Sequence, residues 1–208
     1  DETFAICKHH TIGSIFGVNN SSGLQGGTSA GSSDEILIWN PVTQRFSSYF
    51  YNSVINVWNL ATAPFGADKS SEVFYPDQGF VIYRKAADAL EVTVMGSVKV
   101  GSTKAQIYKG YNFYDNKKPI DTSLRETGWE KDISGGTSAG SADEIAIWDS
   151  EAQRLNGYFY NTVTSKWEKA TDPFGADAGD TPIAIEDAIL IRRRGDAIIL
   201  GEKALSLN

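Results

Sequence analysis

The sequence predicts an all-β protein made of two tandem, homologous domains, each an antiparallel β-sandwich or barrel-like unit, with residues 1–100 in the first and 101–208 in the second. Three observations lead there. Residues 26–68 recur as residues 135–177 at a gapless offset of 109, with 27 of 43 positions identical. Short runs of alternating apolar and polar residues, rich in Trp, Tyr, Phe and Ile, are separated by Gly, Pro and Asn clusters, the pattern of short antiparallel strands. Helix signals are confined to residues 121–131, where a short turn of helix is expected. Each unit of roughly 100 residues can bury only a modest core.

In the first copy, residues 4–16 (FAICKHHTIGSIF) read as one or two strands. A Gly/Ser/Asn loop follows to Asp34. From Glu35 to Trp39 the alternation is clear, and Asn40-Pro41 closes the strand. Phe46 to Asn52 pairs with it through a short hairpin, and Val57 to Asn59 begins a third strand. Ala63 to Asp68 (APFGAD) is a turn cluster. Gly79–Arg84 and Leu90–Val100 complete the unit. The second copy repeats this order as Glu144–Trp148, Leu155–Asn161, Lys166–Trp167, Ala188–Arg192 and Ala197–Gly201. Ile36 and Ile38 recur as Ile145 and Ile147, whereas Leu37 becomes Ala146. A buried position tolerates such a volume change poorly, so the Ile face is the predicted core face.

Upstream of the repeat the copies differ. The second has an additional strand, Lys104–Asn112. Extending the offset of 109 backwards sets Phe113 opposite Phe4, Ser123 opposite Ser14 and Leu124 opposite Ile15, and the first copy then has no counterpart of that strand. A sheet short of one strand presents unpaired N–H and C=O groups to another chain.

Composition narrows the function. Hydrophobic residues at 41% and charged residues at 22% are those of a soluble globular protein. A net charge of −7, shared by both halves, argues against nucleic acid and against an anionic membrane surface. No apolar run approaches the ~20 residues of a membrane span. A single Cys excludes an intrachain disulfide. The chain begins Asp1-Glu2 without Met, the start expected of a trimmed, exported chain.

The run of motifs from Gly110 to Leu124 (GYNF…P…L), then a GG-rich loop, DEI-IW, YFYN, W and GF-IYR, resembles a family of uncharacterised exported repeat proteins of environmental bacteria. The resemblance spans nearly the whole chain. It implies a secreted, β-rich protein and transfers no catalytic residue.

Several residue sets could carry chemistry. Gly27-Thr28-Ser29-Ala30-Gly31 and Gly136-Thr137-Ser138-Ala139-Gly140 match G-x-S-x-G, but a strand follows each, and His9 and His10 both precede the serines, so no base is in order to activate them. The same loops lack the helix and Lys of a phosphate cradle. Cys7, His9 and His10 are weak candidates for a metal site, being at most half a ligand set. Asp34-Glu35, Asp143-Glu144, Asp68 and Asp177 are read as turn-stabilising Asx residues rather than a calcium site. Arg192-Arg193-Arg194 reads as a strand end with solvated charges. Trp39, Trp58, Trp148 and Trp167, with Tyr49, Tyr51, Tyr158 and Tyr160, form either a sugar platform or core. No cofactor is expected.

The expectation that joins these readings is a non-enzymatic structural protein outside the cell or on its surface, self-assembling into a filament or surface layer. Its partners would be copies of itself, through β-strand complementation by Phe4, Ile6, Ile12, Ile15, Ile198 and Leu200. The alternative is a carbohydrate-binding β module with a polysaccharide as partner.

Overall fold

The computed structural model describes residues 9–75, 78–93, 102–115, 120–185 and 187–202. Contacts divide the chain into two compact units, Asp1–Asn40 with Arg45–Gly96, and Pro41–Gln44 with Ser97–Asn208. Strands dominate both, all pairing is antiparallel between the named strands, and helix is limited to short pieces.

The first unit contains β1 (His10–Thr11), α1 (Ile12–Phe16), β2 (Glu35–Asn40), β3 (Arg45–Asn52), β4 (Val57–Leu60), β5 (Val73–Phe74) and β6 (Phe80–Tyr83). Its main sheet has the order β4-β3-β2-β6, and β1 pairs β5 separately. The second contains β7 (Thr103–Ile107), β8 (Gly110–Asp115), β9 (Thr122–Ser123), α2 (Leu124–Thr127), β10 (Glu144–Asp149), β11 (Arg154–Asn161), β12 (Lys166–Lys169), β13 (Pro182–Ile183), β14 (Ala188–Arg193) and β15 (Ile198–Glu202). Its main sheet runs β12-β11-β10-β14-β8, with β13-β9 and β15-β7 as two further ribbons. Register repeats at the offset of 109: Ile36 faces Tyr49 as Ile145 faces Tyr158, and Tyr51 faces Trp58 as Tyr160 faces Trp167. The hairpins repeat too. Gln44 and Gln153 close the first turn, Asn56 and Ser165 the second, all with φ between 51° and 55°, the left-handed residue that lets such loops join twisted strands.

The predicted core face is the buried one. Ile36, Ile38, Tyr49, Trp58, Ile12 and Phe16 pack together in the first unit. Ile145, Ile147, Tyr158, Trp167, Trp129 and Leu124 do so in the second. Leu37, on the other face, is half-buried, while the smaller Ala146 is buried.

Residues 12–16, expected as strand, are a helix. Ile12, Ile15 and Phe16 fall at i, i+3 and i+4, which is the helical period. Thr11 and Ser14 form a capping box, with the Ser14 N–H 3.1 Å from Thr11 Oγ1 and the Thr11 N–H 2.7 Å from Ser14 Oγ. The second unit caps α2 in the same way through Ser123 and Glu126. The caps therefore equate Thr11 with Ser123 and Ile12 with Leu124, and the backward extension that paired Leu124 with Ile15 is out by three residues. The loop between this helix and the GG pair is three residues longer in the first copy, which repetition further along the chain could not reveal. The single strand expected over 104–112 is divided: β7 and β8 are separated before Gly110, whose φ of 99° only glycine adopts readily. Residues 90–93, expected to begin a strand, are not one.

The two main sheets end differently. β14 pairs β10 on one side and β8 on the other. Among the described residues, β6 pairs β2 alone. The Trp39 N–H reaches Gly79 O at 3.3 Å, so in an alternating antiparallel ladder Gly79, Val81 and Tyr83 direct their backbone groups to β2, and Phe80 and Ile82 direct theirs away from it.

Truncating the core should cost far more than levelling the outer face. Ile145→Ala is expected to destabilise the protein by about 2–5 kcal/mol in chemical denaturation. Leu37→Ala, which only writes the second copy's residue into the first, should cost clearly less.

Candidate functional site

Each unit is tied together at one buried carboxylate. Asp34 precedes β2, and the β2–β6 register sets Arg84 across from it. The Asp34 side chain is fully buried and lies 3.0 Å from the Arg84 guanidinium. It also accepts the backbone N–H groups of Gln25 at 2.8 Å and Lys85 at 2.7 Å. Asp143 does the same in the second unit, with Arg193 at 2.5 Å, the Ser134 N–H at 2.7 Å and the Arg194 N–H at 2.8 Å. One carboxylate thus joins the Gly/Ser loop, the start of a central strand and the end of its neighbour. These aspartates are buried ion-pair partners, not Asx-turn residues as expected. Asp68 and Asp177 are Asx-turn residues, each accepting the N–H two positions on. Arg193 is likewise buried rather than solvated, because the carboxylate compensates its charge.

The next basic residue pins the loop. Lys85 Nζ donates to Ala30 O and lies 3.0 Å from Glu35 Oε1. Arg194 donates to Ala142 O at 2.5 Å and to Ala139 O. Burial alone would raise the Asp34 pKa, but the backbone N–H groups of Lys85, Gln25 and Ala86 and the Arg84 charge outweigh it and hold the carboxyl below its usual 3.8.

This tethering decides the meaning of the G-x-S-x-G loops. Ser29 precedes a single 3-10 turn (Ala30–Ser32), is exposed, and faces Ser32 Oγ at 3.5 Å. Ser138 faces Ser141 Oγ at 3.4 Å. His9 packs on the Tyr75 ring at 5.6 Å and His10 pairs with Phe74 in β1. Among the described residues no base reaches either serine, and no group of three His, Cys, Asp or Glu is placed to hold a metal. Cys7, Phe4 and Ile6 lie outside the described residues.

The tryptophans separate by burial. Trp58 is fully buried, donates to Gly17 O at 2.8 Å and meets Tyr51 edge-on. Trp167 is buried against Tyr160, and Trp39 is buried with its ring 4.7 Å from that of Phe46. Only Trp148 of the four stands on an accessible face, 38% exposed beside Leu155, its cross-strand partner.

Next to that pair lies a groove the sequence does not announce. β12 ends at Lys169, so β11 runs on without it over Arg154–Asn156. The opening, about 270 Å³, is lined among others by Arg154, Leu155, Asn156, Gly157, Lys169 and Thr171. The copies differ here: Gly157 and Lys169 stand where the first unit has Ser48 and Leu60. In the first unit Ser48 Oγ donates to Glu35, which Lys85 also holds. In the second, Glu144 lies against Gly157, where any Cβ would collide with its Oε1, and its carboxylate bonds to no other described residue. The Arg154 and Lys169 side chains likewise make no hydrogen bond or ion pair to the described residues. Asp149, the cross-strand partner of Arg154, is held low by the Ala152 N–H and, more weakly, by Asn156 and the Arg154 charge.

No protein-family model, no curated protein and no solved structure matches the chain.

Asp143→Asn should destabilise the second unit by about 3–5 kcal/mol, since Arg193 is left as an uncompensated buried charge, and Asp143→Asn with Arg193→Met should recover part of that loss in denaturant titrations. For Asp34 the folded pKa is depressed. Its contribution is therefore full above pH 3.8 and disappears as pH falls through the lower folded value. Acid unfolding followed by Trp fluorescence should show a shallower dependence in Asp34→Asn.

Proposed function

We propose that the protein is a non-enzymatic structural subunit, working outside the cell or at its surface, that assembles with copies of itself by β-strand addition. One observation carries this reading: among the described residues the first unit's sheet ends at β6, at the position where the second unit's equivalent strand continues to a fifth. The backbone groups of Phe80 and Ile82 are directed away from β2, and a strand added there gains main-chain hydrogen bonds in the manner of β-augmentation. Val81 and Tyr83, exposed beside that edge, add apolar area without distorting the ladder. Near-identical units joined head-to-tail by a contact that does not close make open fibres.

The donor is a β segment of a neighbouring molecule; of the six residues first expected to supply it, Phe4 and Ile6 lie outside the described residues. Ile12 packs in α1 against the first core and Ile15 lies against it. Leu200 is buried in β15, paired to β7, and Ile198 packs on the second core. These four side chains are committed within their own units.

Charged residues on an edge block such pairing. Val81→Lys with Tyr83→Lys should leave the circular dichroism spectrum unchanged and abolish polymers seen by electron microscopy and analytical ultracentrifugation. Wild-type protein that stays monomeric at millimolar concentration would overturn the proposal.

A further inference from the structure

We propose that the hairpin tip joining β10 and β11 docks on the sheet edge of a further repeat unit, an edge of the Gly110-Tyr111 kind, with Gln153 as the contact residue. The occupant is argued from a contact that this chain already makes once. Residues 41–44 belong with the second unit, and there the Gln44 carboxamide caps the edge strand β8. Its Oε1 accepts the Tyr111 N–H at 2.6 Å, and its Nε2 donates to Tyr111 O at 3.0 Å. One side-chain amide thus satisfies a backbone pair that an added strand would otherwise take. Gly110 is part of the recognition, since a Cβ there would collide with the Gln44 amide.

Gln153 has the same geometry and no such partner. Both glutamines hold the left-handed conformation, at φ 54° and 51°, which glycine or asparagine adopts more readily. In both, Nε2 donates at 2.6 Å to the carbonyl three residues back, Pro41 O in one and Ser150 O in the other, which fixes the direction of the amide. Pro41-Val42-Thr43 gives way to Ser150-Glu151-Ala152, yet the glutamine stays. A carboxamide carries two N–H donors and one acceptor oxygen. Among the described residues Gln153 uses one donor only, which leaves the N–H and the oxygen that Gln44 directs to Tyr111. The strand residue near each tip follows the same division: Trp39 is 8% exposed and Trp148 38%. A docking edge therefore meets a preset donor and acceptor with apolar area close by, on Trp148 and its cross-strand partner Leu155. This surface is separate from the β6 edge on which the assembly reading rests.

The test lengthens the full chain by one unit, with residues 100–208 repeated after Asn208, so that the appended tyrosine follows Gln153 by 67 positions as Tyr111 follows Gln44. Backbone hydrogen exchange is read by NMR. The N–H of the appended tyrosine is expected to be protected, and to exchange about ten-fold faster or more in Gln153→Ala, which removes both hydrogen bonds. Gln153→Glu, which turns an oxygen towards the tyrosine carbonyl, should do the same. Gln44→Ala should speed exchange at Tyr111 and leave the appended position unchanged. Equal exchange with and without Gln153 overturns the proposal. So does self-association of the 208-residue chain that Gln153→Ala abolishes in analytical ultracentrifugation, since a second copy would then be the occupant. Polymer formation through β6 should be indifferent to Gln153→Ala, so the two readings fail separately. Circular dichroism of each variant separates loss of docking from loss of the fold.

Discussion

A carboxylate buried between three segments of chain is the constraint on which each unit depends. Asp34 and Asp143 are costly to desolvate, and each is held only because a guanidinium and two or more backbone N–H groups converge on it. Meeting that demand orders the Gly/Ser loop, sets the end of β6 or β14 against the start of β2 or β10, and places a second basic residue where it can reach loop carbonyls. The loop's glycines follow from the same tethering. A Cβ on Gly27 or Gly136 would meet the serine and backbone atoms packed behind it. A segment that looks like a nucleophile elbow is therefore a strap.

With the strap in place, the two copies are free to differ where it does not act. The sheets share their inner face, hairpins and ion pair, and diverge at the edges and on the outer face. Among the described residues β14 has two partners where β6 has one, and the groove beside β11 lies where serine has become glycine. The shared places are committed to holding the units together. The buried Glu168 illustrates the commitment. Burial alone would raise its pKa, but donors from Asn161, Thr164 and the Phe174 N–H lower it instead, locking hairpin and turn together.

Much of the fold was legible because its signals are local. Alternation located the strands to within a residue or two at most ends, and the Ile-for-Ile, Leu-for-Ala comparison identified the inner face. The helix at residues 12–16 carried a helical period and a capping box, but the neighbouring β-branched and aromatic residues suggested strand. The candidate site was less legible. Trp58, Trp148 and Trp167 look alike in sequence, and only the sheet's two faces separate a core ring from an accessible one.

What the sequence by itself determined is the repetition, the strand pattern and the inner face, since these follow from side-chain period and from what each copy may vary. The tertiary structure alone decided which aspartates are buried, that Arg84 and Arg193 are their counter-charges, and that Arg154, Gly157 and Lys169 line one groove. Such pairings join residues tens of positions apart, and their energies depend on burial, which no local pattern encodes.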